Sequence, residues 1–119
     1  MRLTDAEWQI MNALWEKYPA SAREISGRLP ENVKWAYTTI KTMLGRLAAK
    51  EAVQESKQGN TSYYEPLVTR SKARGMALKS LLNQAFDGAL GPMMHFLVEE
   101  ENLSEKQRAE LVEVLRKRS

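Results

Sequence analysis

Apolar residues recur along this chain at two different periods, and each change of period marks an element. From Thr4 to about Tyr18, Trp8, Met11, Leu14 and Trp15 fall at i, i+3, i+6 and i+7, one stripe of an amphipathic helix. Pro19 ends it. A shorter helix from Ala22 to about Leu29 turns Ile25 and Leu29 inward and stops at Pro30. A third, Lys34 to Lys50, gathers Ala36, Ile40, Met43, Leu44 and Leu47 within an arc of roughly 100° on a helical wheel. Beyond Lys50 the texture becomes that of strands. Val53 and Ser62-Tyr63-Tyr64 flank the turn signal Gln58-Gly59-Asn60, and Pro66 closes the second strand, so Ala52 to Leu67 reads as a β-hairpin. Strand alternation would send one of Tyr63 and Tyr64 inward and the other outward.

The helical period then returns. A long helix opens at Thr69 or Ser71 and is broken at Asp87-Gly88. Ala73, Ala77, Leu81 and Ala85 form one face, with Leu78, Leu82 and Phe86 beside it. Pro92 fits the first turn of the next helix, and a last helix runs from Ser104 to about Arg118 with Leu111, Val112 and Leu115 apolar. Three capping boxes, Thr4 to Glu7, Ser21 to Glu24 and Ser104 to Gln107, place helix starts independently of the apolar pattern.

Three helices, a hairpin and three more helices predict a mainly α fold with a small β wing. A winged helix-turn-helix DNA-binding domain would occupy 1–70 and a helical region 71–119. The small residues around Ala20 could add a short third strand beside the hairpin. The tail is thin for an independent core, so Met76, Leu78, Leu81, Leu82, Phe86, Phe96, Leu97, Leu111 and Leu115 are expected to meet a second copy of the chain.

Composition narrows the function. The chain has 119 residues, no cysteine and one histidine, His95, which stands in an apolar stretch. Disulfides, thiolate chemistry and Cys-based zinc sites are excluded, and no acid, base and nucleophile set is visible, so an enzyme is a poor reading and no cofactor or metal is expected. Glu99 to Glu101 read as a solvated helix end. No run is apolar and long enough to span a membrane, no leader is recognisable, and a cytoplasmic location is expected.

Net charge is only +3, but its distribution is uneven. Residues 1–33 hold Arg2, Lys17, Arg23 and Arg28 against Asp5, Glu7, Glu16, Glu24 and Glu31, whereas Lys34 to Lys50 holds Lys34, Lys41, Arg46 and Lys50 and no acid. Its outward face also carries Trp35, Thr38, Thr39, Thr42 and Gly45, of which the threonines and the glycine weaken a helix. Short hydroxyl side chains near the start of a helix, bases for phosphates and exclusion of acids are what a major groove selects. Thr38, Thr39 and Thr42 are therefore candidate base contacts, and Lys34, Lys41 and Arg46 candidate phosphate contacts. At the wing tip Lys57 and Asn60 suit a phosphate or the minor groove. Trp35 could cover the second helix or lie against the DNA backbone. The rival reading is a winged helix used only to bind protein, which has no need of an acid-free third helix.

These residues also carry a resemblance. "LTDAEWQIMNALWE", "SAREI", "WAYTTIKTMLGRLAAKEAV", "YYEPLVTR" and the tail from Phe86 together resemble the penicillinase repressor family (BlaI/MecI/CopY), in order and over nearly the whole chain. The resemblance implies a homodimeric winged-helix repressor on a palindromic operator, joined through its C-terminal helices, with Thr38, Thr39, Lys41, Thr42 and Arg46 at the DNA. It also implies release either by a membrane-bound sensor metalloprotease that cuts an Asn-Phe bond, or by metal at a cysteine cluster. This chain departs from both: it has no cysteine, and the corresponding tail reads "MMHFLVEEE", leaving His95 to Leu97 as the expected counterpart of the cut. Where the family often has Gly-Arg in the wing, this chain has Gly59-Asn60, with Lys57 as a substitute cation.

Overall fold

The structure is a computed structural model that describes residues 1–99 and 103–118, except for the side chains of Leu115, Lys117 and Arg118. Its elements are α1 (Asp5–Glu16), β1 (Ala20–Ser21), α2 (Ala22–Arg28), α3 (Tyr37–Ala49), β2 (Val53–Gln58), β3 (Thr61–Pro66), α4 (Arg70–Phe86), α5 (Leu90–Glu99) and α6 (Glu105–Arg118). The chain divides into two compact units, Met1–Ala77 and Leu78–Ser119.

In the first unit, α1, α2 and α3 enclose a core whose fully buried side chains include Ile10, Met11, Leu14, Ile25, Ile40, Leu44 and Leu47. Both capping boxes of this unit form. The Thr4 hydroxyl accepts from the Glu7 N–H and the Glu7 carboxylate accepts from the Thr4 N–H, and Ser21 and Glu24 repeat the exchange. The Tyr18–Pro19 bond is cis and leads into β1, which joins the hairpin as a third antiparallel strand in the order β1-β3-β2. Ala20 faces Tyr64 and Ser21 faces Tyr63. Tyr64 is the buried member of the tyrosine pair.

Two features of α3 differ from the sequence expectation. The helix starts at Tyr37, not Lys34, and Ala36 is its exposed, extended N-cap instead of a core residue. The cause is Trp35, which is half-buried against the core. Anchoring that indole holds the preceding chain extended, and the burial of a large aromatic outweighs one more helical turn. At the other end the N–H of Ala52 bonds to Leu47 O at 2.9 Å and that of Glu51 to Ala48 O at 3.0 Å, with Glu51 left-handed at φ 63°. This is a Schellman stop, and the buried pair Leu47 and Ala52 supplies its apolar contact.

In the second unit, Asp87 and Gly88 take positive φ and end α4, and Ser104 and Gln107 form the third capping box. Phe86 and Phe96 lie 6.2 Å apart, and Met93 is buried. Leu78, Leu81 and Phe96 are exposed, while Leu82, Phe86, Leu97 and Leu111 are half-buried. Met76 packs instead against the core of the first unit. The side chain of Leu115, and Glu100 and Glu101, lie outside the described residues. His95 to Leu97 lie inside α5. No helix among the described residues is long and apolar enough to cross a membrane.

Candidate nucleic-acid interface

The inward face of α3 is fixed by Ile40, Leu44 and Leu47, so the same helix must turn Thr38, Lys41, Thr42, Gly45 and Arg46 outward; all five are exposed, and Thr39 is half-buried. The face carries no acid. Thr42 donates its hydroxyl to Thr38 O at 2.9 Å, so its proton is spent within the helix. What Thr42 can offer a partner is an acceptor oxygen and a methyl group, the latter a match for a thymine methyl.

The four bases of the acid-free segment divide. Lys41 and Arg46 stand on the exposed face. Lys34 precedes α3 and is exposed in the approach to it, off the helical face where the sequence places it. Lys50 is turned to a structural use: its ammonium lies 2.6 Å from the Glu7 carboxylate and donates to Arg2 O at 2.6 Å. Burial pushes the Glu7 carboxyl up, but hydrogen bonds from Lys50 and Thr4 outweigh it, and the net pKa is below the usual carboxylate value.

The hairpin turns through Gly59 and Asn60, with Gln58 opposite Thr61 and Gly59 at φ 64°. A positive φ at the first central position suits glycine in a tight hairpin. The turn sets Asn60 beside α3. Asn60, Thr61 and Ser62 of the wing, Tyr37 and Lys41 of α3, and Arg23 of α2 line one cleft of about 260 Å³. Lys57 is exposed on β2 and is not among the lining residues of that cleft. Burial, and then the Glu55 carboxylate, push the hydroxyl of Tyr64, another lining residue, above the usual tyrosine value.

Arg23, Tyr37 and Ser62 were not singled out from the sequence. Arg23 did leave a signal: it stands in the first turn of α2, where a cation opposes the helix dipole. Its guanidinium lies 5.6 Å from the centre of the Tyr37 ring, and the Lys41 ammonium lies 6.0 Å from the same ring. The contact joins two helices, which periodicity within one helix does not reveal.

With this geometry established, comparisons with known proteins are informative. The family model described as penicillinase repressor matches residues 3–117. The methicillin resistance regulatory protein MecI of Staphylococcus aureus (strain N315) is 30% identical over 98% of this chain and 94% of its own length. The solution structure of the DNA-binding domain of the repressor BlaI matches with a TM-score of 0.53 at 31% identity, covering 60% of this chain and 87% of that one. The Bacillus licheniformis BlaI monomer, solved in complex with the blaP half-operator, matches with a TM-score of 0.51 at 30% identity, over 60% of this chain and 88% of that one. A family match spanning nearly the whole chain, relatives of similar length and winged-helix structural neighbours agree: this chain belongs to the penicillinase repressor family.

Proposed function

We propose that this chain represses transcription as a homodimer on a palindromic operator, with α3 of each protomer in a major groove. DNA-binding repression is the function of the family to which it belongs. The observation that carries the finer reading is the exposed, acid-free face of α3, held outward by three fully buried residues on its other side. Thr38, Thr39 and Thr42 meet base edges; Lys41 and Arg46 hold phosphates; Lys34, Lys57 and Asn60 contact the flanking backbone or minor groove. The exposed Leu78, Leu81 and Phe96 of residues 71–119 pair with those of a second copy. Two copies then present two α3 helices to half-sites about one or two turns apart on one side of the duplex. The chain acts in the cytoplasm, as a binding protein and not as an enzyme.

The test is anisotropy of the purified chain on fragments of its own upstream region and on scrambled DNA of equal length, over a series of salt concentrations. Tight, salt-steep binding that prefers one fragment is expected. Equal, weak binding to both DNAs would overturn the reading and leave α3 as a surface for a protein.

A further inference from the structure

The cleft between α2, α3 and the wing contains more than the reading helix requires. Arg23 and Lys41, from different helices, are drawn toward the one ring of Tyr37, which is 47% exposed. Among the described residues neither cation forms an ion pair. No acidic side chain lines the cleft, whose other wall offers the Asn60 amide and the Thr61 and Ser62 hydroxyls. Two like charges collected on one aromatic ring repel one another, and an anion set between them would relieve that repulsion.

We propose that Arg23, Tyr37 and Lys41, with Asn60 to Ser62, form a seat for one backbone phosphodiester of the operator, so that α2 belongs to the DNA-binding face together with α3 and the wing. The inference rests on the reading that this chain binds operator DNA and adds the path of the strand. A second recess shares Arg23 and Tyr37 and continues along α2 past Ser26 and Gly27, again without an acid. A free anion would need only one pocket. A run of open, acid-free surface leading away from the cationic pair fits a continuous sugar-phosphate chain. In this seat the Arg23 fork and the Lys41 ammonium bond the phosphate oxygens. Tyr37 is a positioning residue, whose ring holds both cations in place.

The test compares the full-length chain with Arg23→Ala, Tyr37→Phe and Tyr37→Leu by anisotropy on operator and scrambled DNA. Because the contact is to backbone, Arg23→Ala should weaken both DNAs by the same several-fold factor and lower the salt slope by about 0.9. Tyr37→Phe, which keeps the ring, should bind as the parent does, and Tyr37→Leu should fall toward Arg23→Ala. Operators carrying a neutral methylphosphonate at one position at a time should then reveal one phosphate whose neutralisation weakens the parent more than it weakens Arg23→Ala, which keeps Lys41 on that phosphate. If the parent binds its operator steeply and selectively while Arg23→Ala keeps the same affinity and slope, the seat is overturned and the repressor reading stands. If the parent shows no operator preference, the repressor reading fails first and the seat with it. If inorganic phosphate perturbs the Tyr37 ring resonances in an Arg23-dependent way while every methylphosphonate affects parent and variant alike, the cleft is a small-anion site and the proposal is likewise overturned.

Discussion

The two units of this chain treat the same kind of residue in opposite ways. Met1–Ala77 hides most of its large aliphatic side chains: Ile10, Met11, Leu14, Ile25, Ile40, Leu44 and Leu47 are wholly inaccessible, and Met1 and Leu67 are the exposed exceptions. In Leu78–Ser119, Met93 is the one buried hydrophobic among the described residues, while Leu78, Leu81, Leu90, Phe96, Val112 and Val114 stay exposed. A monomer gains nothing by presenting six large apolar side chains to water, each a forgone burial of about 1.5–3 kcal/mol. The first unit is nearly closed on itself, and the exposed side chains of the second are what the proposed pairing with a second copy would cover.

The strongest way to break this contrast is to strike the first unit. Leu44→Ala removes a fully buried side chain from α3 and should lower unfolding stability by about 2–5 kcal/mol in urea titrations followed by tryptophan fluorescence. Trp8, Trp15 and Trp35 all pack on this core and report on it directly. A loss below about 1 kcal/mol would mean that the core is not the closed structure described.

Next in size is the ion pair that closes the unit from outside the aliphatic core. Glu7 is only 3% exposed and its second carboxylate oxygen has no hydrogen-bond partner, so Lys50→Met would leave a buried charge without its neighbour. A loss of about 1–3 kcal/mol at pH 7 is expected. The pH dependence should also weaken. In the parent the folded pKa of Glu7 is depressed, so its stabilisation is present above the unfolded carboxylate value and is lost as pH falls through the folded one. Without Lys50 only the Thr4 hydrogen bonds still oppose burial, so the folded pKa of Glu7 should rise relative to the parent's and the variant should lose less stability than the parent as pH falls through the carboxylate range. Parallel pH profiles for parent and variant would show that the pair carries no such linkage.

This pair also shows what could be read from the sequence and what could not. The capping boxes, the hairpin turn and the apolar stripe of α3 depend on residues two to four positions apart, and, Ala36 excepted, each is where the pattern placed it. Lys50 and Glu7 are 43 positions apart. Counting charge along the chain places Lys50 in an acid-free run, whereas the fold gives it an acid. Trp35 is a second case, since its docking on the core moved the start of α3 from Lys34 to Tyr37. Arg23 is a third, because what brings it to Tyr37 is the packing of α2 against α3. Local chemistry was legible; pairings made by the tertiary fold were not.

The second unit calls for a milder blow with a different readout. Leu81→Glu places a charge at an exposed position of α4, where a monomer would tolerate it. If that face pairs with a second copy, the dimer dissociation constant should rise at least about tenfold, roughly 1.4 kcal/mol, by sedimentation equilibrium. The urea midpoint of the first unit, read from its tryptophans, should stay where it was. A parent that sediments as a monomer at micromolar concentration would remove the distinction between the two units altogether.

The smallest expected effect separates two lysines of one helical segment. Lys41 is exposed on α3 with no acid beside it, and Lys50, nine residues on, is paired with Glu7. If phosphates are held by the free cation alone, Lys41→Ala should weaken operator and scrambled DNA equally and reduce the salt slope by about 0.9. Lys50→Met, measured at a pH and temperature where it remains folded, should leave the slope unchanged, because the parent's Lys50 has no counterion to exchange for DNA. Equal losses of slope in both variants would place Lys50 in the DNA-facing set. The charge pattern along the sequence would then have been a better guide to the interface than the ion pair is.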